Sequence, residues 1–327
     1  MRRHRTAAGM LLAVAALFTS GIVEAGAADA AAPDATSGRS VPARTASAAE
    51  QHTARAYWTA ERMRGATPLD VLLTPQAAKR LNTPRPEDRT TTVRPTAAPA
   101  SFPQAGGPWT GGGAVVKTSG RVFFTFQGRT ASCSGNAVTS QNASTVITAG
   151  HCVKYQGSWH TNWVFVPAYD NGNAPYGQWT ATKTLTTPQW EASEDINHDI
   201  GAAVVAPLDG RTLTSVVGAQ GIQFNGGYNK PMYAFGFPAA SPYDGTKLIH
   251  CAGNSAKDFL FSQDHSLACN MTGGSSGGPW FTGFSEATGT GLQVSVNSFG
   301  YTFLPNRMFG PYFGNEAKAL YDRAQLS

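Results

Sequence analysis

The chain has 327 residues, of which 41% are hydrophobic, 14% are charged and 36 are glycine. So few charges with so much glycine are typical of a turn-rich β protein. They exclude a coiled coil or helical bundle, which needs more Glu, Lys, Arg and Leu. The net charge of +5 lies in residues 1–105, because residues 106–327 hold 12 basic and 12 acidic residues. A nucleic-acid-binding protein carries its positive charge on the folded domain, so that class is excluded.

Residues 1–30 have the pattern of a secretory signal peptide. Arg2, Arg3 and Arg5 precede an apolar run from Ala7 to Val23, and small residues that fit a cleavage site follow. A membrane anchor is the alternative. The run is short for that role and holds small residues and a Thr-Ser-Gly break, whereas a membrane span needs roughly 20 apolar residues. We therefore expect secretion, with no membrane attachment after the signal is removed.

Residues 31–105 are predicted to be a propeptide that ends in a proline-rich linker. Residues 48–63 have the composition of a helix, in which Tyr57 and Trp58 are the only large rings. From Thr83 to Pro108, 6 of 26 residues are proline, which favours an extended linker without a core. A stalk that stays attached to the mature protein is the alternative.

Residues 106–327 are predicted to form one compact all-β domain. Short apolar or alternating stretches recur between Gly, Asn, Asp and Pro residues, which is the pattern of a sandwich or barrel. Only Asn315–Gln325 has a clear helical pattern. The predicted strands are 121–127, 145–149, 163–168, 202–206, 232–237 and 293–297.

The cysteines Cys133, Cys152, Cys251 and Cys269 all lie in this domain. An even number of cysteines in an exported chain implies disulfide bonds, and four cysteines allow three pairings. We expect sequence neighbours to pair, Cys133 with Cys152 and Cys251 with Cys269. A zinc site is the competing interpretation, but no C-x-x-C or H-x-x-x-H spacing supports it. No metal or other cofactor is therefore expected.

The segment Thr272–Trp280 (TGGSSGGPW) is the strongest candidate for a catalytic site. Glycine loses more conformational entropy on folding than any other residue, so this string is typical of backbone that approaches something closely. A plain glycine-serine turn is the alternative. No histidine follows Ser276, which excludes the Ser-Asp-His order of α/β-hydrolases. No acidic residue lies between Arg89 and Tyr169, so with His151 as the base only the order His, Asp, Ser remains.

His151 and Asp199 are the candidates that complete a triad with Ser276. His151 follows a short apolar strand and stands beside Cys152, so it can be fixed at the edge of a barrel. Of the nine carboxylates between His151 and Ser276, Asp199 alone opens an apolar strand. A triad carboxylate must be buried, ionised and bonded to the imidazole. A strand-start cap is the alternative role of Asp199.

Three motifs resemble those of the trypsin/chymotrypsin-like serine peptidases and occur in the same order. They are TAGHC at 148–152, HDI at 198–200 and GSSGGP at 274–279. The bacterial secreted members are the most similar, nearest the glutamyl endopeptidase-like branch. The resemblance implies two antiparallel β-barrels with the site between them and a short C-terminal helix.

The resemblance also implies a role for each site residue. Ser276 would attack the scissile carbonyl, His151 would act as general base and then acid, and Asp199 would orient His151. The backbone N–H groups of Gly274 and Ser276 would form the oxyanion hole. We expect a monomeric endopeptidase that acts on protein or peptide substrates through an acyl-enzyme. The alternative is a non-catalytic secreted binding protein on the same fold.

By the same resemblance, the specificity pocket has Asn270 at its base and Ser298, Phe299 and Gly300 in one wall. A buried Lys or Arg side chain would lack a carboxylate partner there, and a Glu side chain would lack a basic one. We expect cleavage after uncharged, medium-sized residues, with cleavage after glutamate as the main alternative. Ser275 stands where animal members have an Asp that pairs with the new N-terminus. Activation is therefore expected to require removal of the propeptide from the cleft.

Overall fold

The structure is a computed structural model and describes residues 40–78, 89–93 and 103–327. The predicted signal peptide, the start of the predicted propeptide and parts of the predicted linker lie outside these residues. Among the described residues, no helix combines the length and apolar character needed to cross a membrane.

The leader, here residues 40–78 and 89–93, contributes short helices and strands. Its elements are β1 (Ala43–Thr45), α1 (Ala48–Tyr57), α2 (Ala60–Arg64), β2 (Thr67–Pro68), β3 (Leu72–Leu73), α3 (Pro75–Ala78) and β4 (Thr91–Val93). The helix predicted over 48–63 is present but interrupted at Trp58 and Thr59. The break arises because Ser47 caps the first turn of α1 and Thr59 caps a new helix, α2.

The first half of the following domain is a closed six-stranded antiparallel barrel. The elements up to its end are β5 (Gln104–Pro108), α4 (Ala114–Thr118), β6 (Ser119–Phe126), β7 (Arg129–Ala137), β8 (Thr145–Thr148), β9 (Lys154–Tyr155), β10 (Ser158–Trp159), β11 (Thr161–Pro167), β12 (Trp179–Thr186), α5 (Pro188–Ser193) and β13 (Gly201–Val205). The barrel order is β6-β7-β8-β13-β12-β11, and pairing of β11 with β6 closes it. Val122, Phe124, Phe165 and Leu185 are fully buried in its core.

The second half consists of two sheets around a shared apolar core. Its elements are α6 (Leu213–Val217), β14 (Gly221–Phe224), β15 (Pro231–Gly236), β16 (Ile249–Asn254), β17 (Ala256–Lys257), β18 (His265–Ala268), β19 (Pro279–Ser285), β20 (Thr290–Val296), β21 (Phe299–Tyr301), β22 (Leu304–Gly310) and α7 (Asn315–Gln325). Met232, Ile249, Leu267, Trp280 and Met308 bring side chains from both sheets into this core. Most pairings are antiparallel, but β14 and β20 are parallel. The predicted all-β fold with a C-terminal helix is confirmed.

Two pieces of the predicted proline-rich linker are paired strands. β4 lies against β14 and β5 lies against β16. The Asn225 side-chain amide donates to the Arg89 carbonyl and so ties the start of β4 to the domain. Thr91–Val93 and Gln104–Pro108, which the sequence predicts as parts of an extended linker, are therefore extended segments that pair with the edges of the domain's sheet. An open sheet edge accepts such segments through main-chain hydrogen bonds, which need no apolar side-chain pattern.

Two disulfide bonds link elements of the domain, one in each half. Cys133 in β7 is bonded to Cys152 in the turn after β8, with the Cα atoms 6.1 Å apart. Cys251 in β16 is bonded to Cys269 after β18, with the Cα atoms 5.4 Å apart. This is the pairing of sequence neighbours that the sequence analysis expects.

Candidate active site

His151 and Asp199 form a fully buried pair at one end of the first barrel. His151 lies in a 3₁₀ turn after β8, and Asp199 precedes β13, which pairs with β8. Asp199 Oδ2 lies 2.7 Å from His151 Nδ1, and Asp199 Oδ1 accepts the His151 backbone N–H at 2.8 Å. The carboxylate therefore holds the proton on Nδ1 and leaves Nε2 as the proton acceptor.

Ser298 provides a further donor to the same carboxylate. Its hydroxyl lies 2.6 Å from Asp199 Oδ2 and is fully buried. Ser298 is predicted to lie in the pocket wall, but in the structure its hydroxyl is bonded to Asp199. A buried carboxylate requires such donors, because an unpaired charge away from water is costly. No local pattern marks this contact, since the two residues are 99 positions apart.

The loop 272–280 has a backbone that glycine alone tolerates at key positions. Gly274 has φ +94° and Gly277 has φ +80°, both in the left-handed region. A Cβ atom at Gly277 would lie 2.1 Å from Thr148 Oγ1. The loop thus packs directly against β8, and the Ser276 carbonyl accepts the Ser134 N–H of β7 at 2.7 Å. These contacts place Ser276 beside the strands that carry His151.

The buried Asn297 side chain holds this loop in place. Its Nδ2 donates to the carbonyl groups of Ser275 (3.0 Å) and Phe235 (2.8 Å). Its Oδ1 accepts the Trp280 Nε1–H at 2.7 Å. Both ends of the buried amide are therefore used within the protein. A single polar residue at the end of an apolar strand is the one signal in the sequence that could have identified it.

The other predicted pocket residues lie around the loop in different environments. Asn270 Oδ1 accepts the Tyr243 hydroxyl at 2.6 Å, so this amide oxygen faces a neighbouring side chain. Phe299 is buried in an apolar cluster that includes Trp190. Gly300 pairs with the leader strand β3. The wall that the sequence analysis predicts is therefore already covered by residues of the same chain.

Three buried ring N–H groups fix the turn that carries His151. His160 Nε2 lies 2.8 Å from the His151 carbonyl oxygen. Trp163 and Trp190 donate Nε1–H to the carbonyl groups one and three positions after His151, at 3.0 Å and 2.7 Å. Burial lowers the pKa of His160 to about 3, so its ring is neutral and Nε2 carries the hydrogen toward the carbonyl. Sequence reasoning assigns no role in the site to these rings.

A leader carbonyl lies at the predicted oxyanion hole and accepts one of its two N–H groups. The Leu69 oxygen accepts the Gly274 N–H at 2.9 Å and lies 3.3 Å from Ser276 Oγ. The next residue, Asp70, lies near His151. Burial raises the pKa of the Asp70 carboxyl, and the nearby His151 partly opposes that effect. Within the described structure, Ser276 and His151 are therefore buried under the chain's own leader.

Two solved proteases match about two thirds of this chain over almost their whole length. The protease Anisep from Arthrobacter nicotinovorans is 45% identical and has a TM-score of 0.62, over 65% of this chain and 98% of that one. This chain belongs to the trypsin/chymotrypsin-like serine proteases. This chain is also 43% identical to the thermostable serine protease AL20 from an extremophilic microorganism. The TM-score is 0.62, and the match covers 65% of this chain and 99% of that one.

More distant relatives support fewer conclusions about this chain. A Glu endopeptidase structure shares 14% identity and a TM-score of 0.54 with the serine protease, over 71% of this chain and all of that one, which shows a common fold alone. The curated "Extracellular metalloprotease" of Bacillus subtilis (strain 168) is 26% identical over 186 residues. This match covers 56% of each protein, so the serine protease spans about half the length of that relative. No family model matches the chain.

The Bacillus relative is called a metalloprotease, which raises the question of a metal in this chain. Among the described residues, Cys133, His151 and Cys152 are the one group of potential ligands that converges. Both sulfur atoms belong to a disulfide bond, and His151 Nδ1 is bonded to Asp199. Disulfide sulfur atoms are not the thiolates that a metal requires, and His151 Nε2 alone is too few ligands, so these side chains do not fit a metal site.

Proposed function

We propose that this serine protease is a secreted endopeptidase that cleaves peptide bonds through an acyl-enzyme on Ser276. The pairing of His151 Nδ1 with Asp199 carries the proposal, because it leaves His151 Nε2 to take the Ser276 proton. Ser276 Oγ then bonds to the scissile carbonyl carbon. The N–H groups of Gly274 and Ser276 stabilise the oxyanion, and such a donor contributes about 10²–10³ to turnover.

The second half of the reaction uses the same groups. His151 gives the proton to the departing amine as the carbon–nitrogen bond breaks, and the acyl group stays on Ser276. A water then attacks the ester carbon, with His151 accepting its proton, and returns the free acid and the Ser276 hydroxyl. The buried Asp199 stabilises the imidazolium that exists between these proton transfers.

The proposal includes a precursor with a signal peptide (1–30), a propeptide with linker (31–105) and a peptidase domain (106–327). The solved relatives match 65% of the chain, which is close to the share that residues 106–327 represent. The two disulfide bonds support export, since such bonds persist in oxidising compartments. The leader that covers Ser276 supports a form that is inactive until processed.

Hydrolysis of a protein substrate by the processed protease tests the function. Ser276→Ala should lower kcat by about 10⁴–10⁶, because triad residues act as a unit. Ser275→Ala is the matched control and should keep most of the activity. The melting temperatures of both variants should stay close to that of the wild type. A processed wild-type protein that binds peptides without hydrolysing them would contradict the proposal and favour the binding protein. Loss of activity in Ser275→Ala alone would place the nucleophile one residue earlier.

A further inference from the structure

Residues 66–73 of the leader, called the cleft segment, pass between the two halves of the protease. Its first part, β2, runs parallel to β7, with Thr67 opposite Ala131. Its last part, β3, runs parallel to β21, with Leu72 opposite Gly300. The segment therefore enters the cleft along the first barrel and leaves it along the second half.

Leu69 lies where these two strand pairings meet. Its N–H donates to the Ser132 carbonyl at 2.9 Å, on the side of the first barrel. Its own carbonyl accepts the Gly274 N–H at 2.9 Å, in the predicted oxyanion hole. The Ser276 hydroxyl lies 3.3 Å from the same oxygen. This peptide unit thus occupies the place where a scissile carbonyl would lie.

The direction of the cleft segment is opposite to that of a substrate. In a substrate, the residue that contains the scissile carbonyl places its side chain in the specificity pocket, whose expected wall is 298–300, and the residues before it continue along that wall. In the cleft segment, the residues after the Leu69 carbonyl lie along Gly300, and those before it lie along β7. The Leu69 side chain packs on the core of the first barrel. Asp70 Cβ instead borders the loop, 3.0 Å from the position of a Cβ at Gly273.

The catalytic groups are not engaged for attack in this arrangement. The Ser276 hydroxyl donates to the Leu69 oxygen. Among the residues that the structure describes, His151 Nε2 has no hydrogen-bond partner. A serine becomes a nucleophile when an adjacent base takes its proton, so the contact between hydroxyl and base is missing here. The leader carbonyl accepts the Gly274 N–H of the predicted oxyanion hole without an activated nucleophile beside it.

Main-chain hydrogen bonds and one buried apolar side chain attach the cleft segment to the second half of the domain. The Val71 carbonyl accepts the Gly300 N–H at 3.1 Å, and the Leu73 carbonyl accepts the Thr302 N–H at 3.1 Å. The Val71 side chain is buried in the cluster that contains Phe299. Extended peptides bind sheet edges through such bonds, with alternate side chains filling pockets. These contacts bind the segment without requiring the orientation of a substrate.

We propose that the cleft binds residues 66–73 as a reverse-running inhibitor that the protease does not cut. The proposal rests on the proposed function, because it concerns the regulation of the same site. Activation then requires cleavage outside the cleft segment, followed by its departure. The recognised ligand is an extended peptide with Leu, Asp and Val at positions 69–71, whether it is supplied by the same chain or by a separate molecule.

Two double-cysteine precursors test the direction under mild oxidation. A Cβ at Gly300 would lie 3.4 Å from Leu72 Cδ2, so Leu72→Cys with Gly300→Cys should form a disulfide bond. Thr67→Cys with Gly300→Cys is the matched control. A segment running in the substrate direction would bring position 67, not position 72, beside Gly300. Peptide mapping without reduction should find the first cross-link, and finding the second instead would overturn the proposal.

A time course of precursor processing gives an independent measurement if neither pair cross-links. Mass spectrometry should find every bond of residues 66–73 intact when hydrolytic activity first appears. A first cut between Leu69 and Asp70, or elsewhere within the segment, would overturn the proposal. Failure of the proposed function would be distinguishable from failure of this proposal. The processed protease would then hydrolyse no substrate, whichever cysteine pair cross-links.

Discussion

His160 holds His151 through the backbone, since its neutral ring lies 2.8 Å from the His151 carbonyl oxygen and stacks on Phe124. His160→Phe keeps an aromatic ring at this position and removes the donor, leaving a buried carbonyl unpaired. We expect kcat of the processed protease to fall about tenfold with little change in KM, because such a loss costs about 1–3 kcal/mol.

His160→Gln is the matched control, because its side-chain amide can still donate to the carbonyl. It should recover part of the lost kcat. A His160→Phe variant that loses stability but keeps full kcat would show that His160 has a structural role without positioning His151.

The two disulfide bonds should differ in their effect on activity. Replacing either cysteine pair by alanine should lower the free energy of unfolding by about 2–4 kcal/mol. Only removal of Cys133–Cys152 should also lower kcat, because Cys152 is in the turn that carries His151. Chemical denaturation and steady-state kinetics on the processed variants measure both effects. Equal kcat values for the two variants would contradict a positioning role for the first bond.

Trp58 should be the main anchor of the leader outside the cleft. Its ring is buried 5.3 Å from Phe123, and its Nε1–H donates to the Asn162 carbonyl at 2.6 Å. Trp58→Ala should weaken leader docking by about 3–5 kcal/mol, the usual cost of such a truncation. The unprocessed precursor should then show more hydrolytic activity.

Tyr57→Ala is the control, because Tyr57 is only partly buried. The processed forms of both variants should match the wild type in kcat/KM, since the leader has left. Unchanged activity of the Trp58→Ala precursor would show that the helical part of the leader contributes little to docking.

Asp70 should make leader docking sensitive to pH. Docking raises the Asp70 pKa above its ordinary value of 3.8, so the docked leader binds the proton more tightly than the free leader. Docking is therefore strongest below pH 3.8 and weakens as the pH rises through the raised pKa. His151, whose charge opposes the shift, and Tyr155 are the titratable groups near Asp70.

Asp70→Asn should remove this dependence and dock more tightly at neutral pH. The latent activities of the wild-type and variant precursors, measured on one substrate at each pH, give a ratio that removes the pH dependence which the two precursors share. We expect the wild-type to variant ratio to increase with pH. A ratio that stays constant from acidic to neutral pH would contradict this account.

Local patterns explain what the sequence could predict. The α7 helix at Asn315–Gln325 and the short strands follow from periodicity. Residue order together with the local sequence around each residue predicts His151, Asp199 and Ser276, of which the structure pairs the first two. The hydroxyl of Ser298 reaches Asp199 from 99 positions away, which no local pattern records.

The path of the leader was beyond sequence reasoning for a different reason. The cleft segment and β4 are held largely by main-chain hydrogen bonds. Every residue can make such bonds, except that proline has no N–H to donate. Short paired segments of this kind carry no periodic signal. The direction of the cleft segment depends on which sheet edges are open, and that is known only from the folded domain.

Fluorophosphonate labelling of the intact precursor and the processed protease tests the central claim most directly, which is that Ser276 is a nucleophile covered by the leader. Mass spectrometry should map one adduct in the processed protease, on Ser276. The intact precursor should remain unlabelled under conditions that label the processed form fully. An adduct on another residue, or equal labelling of precursor and processed protease, would contradict the account.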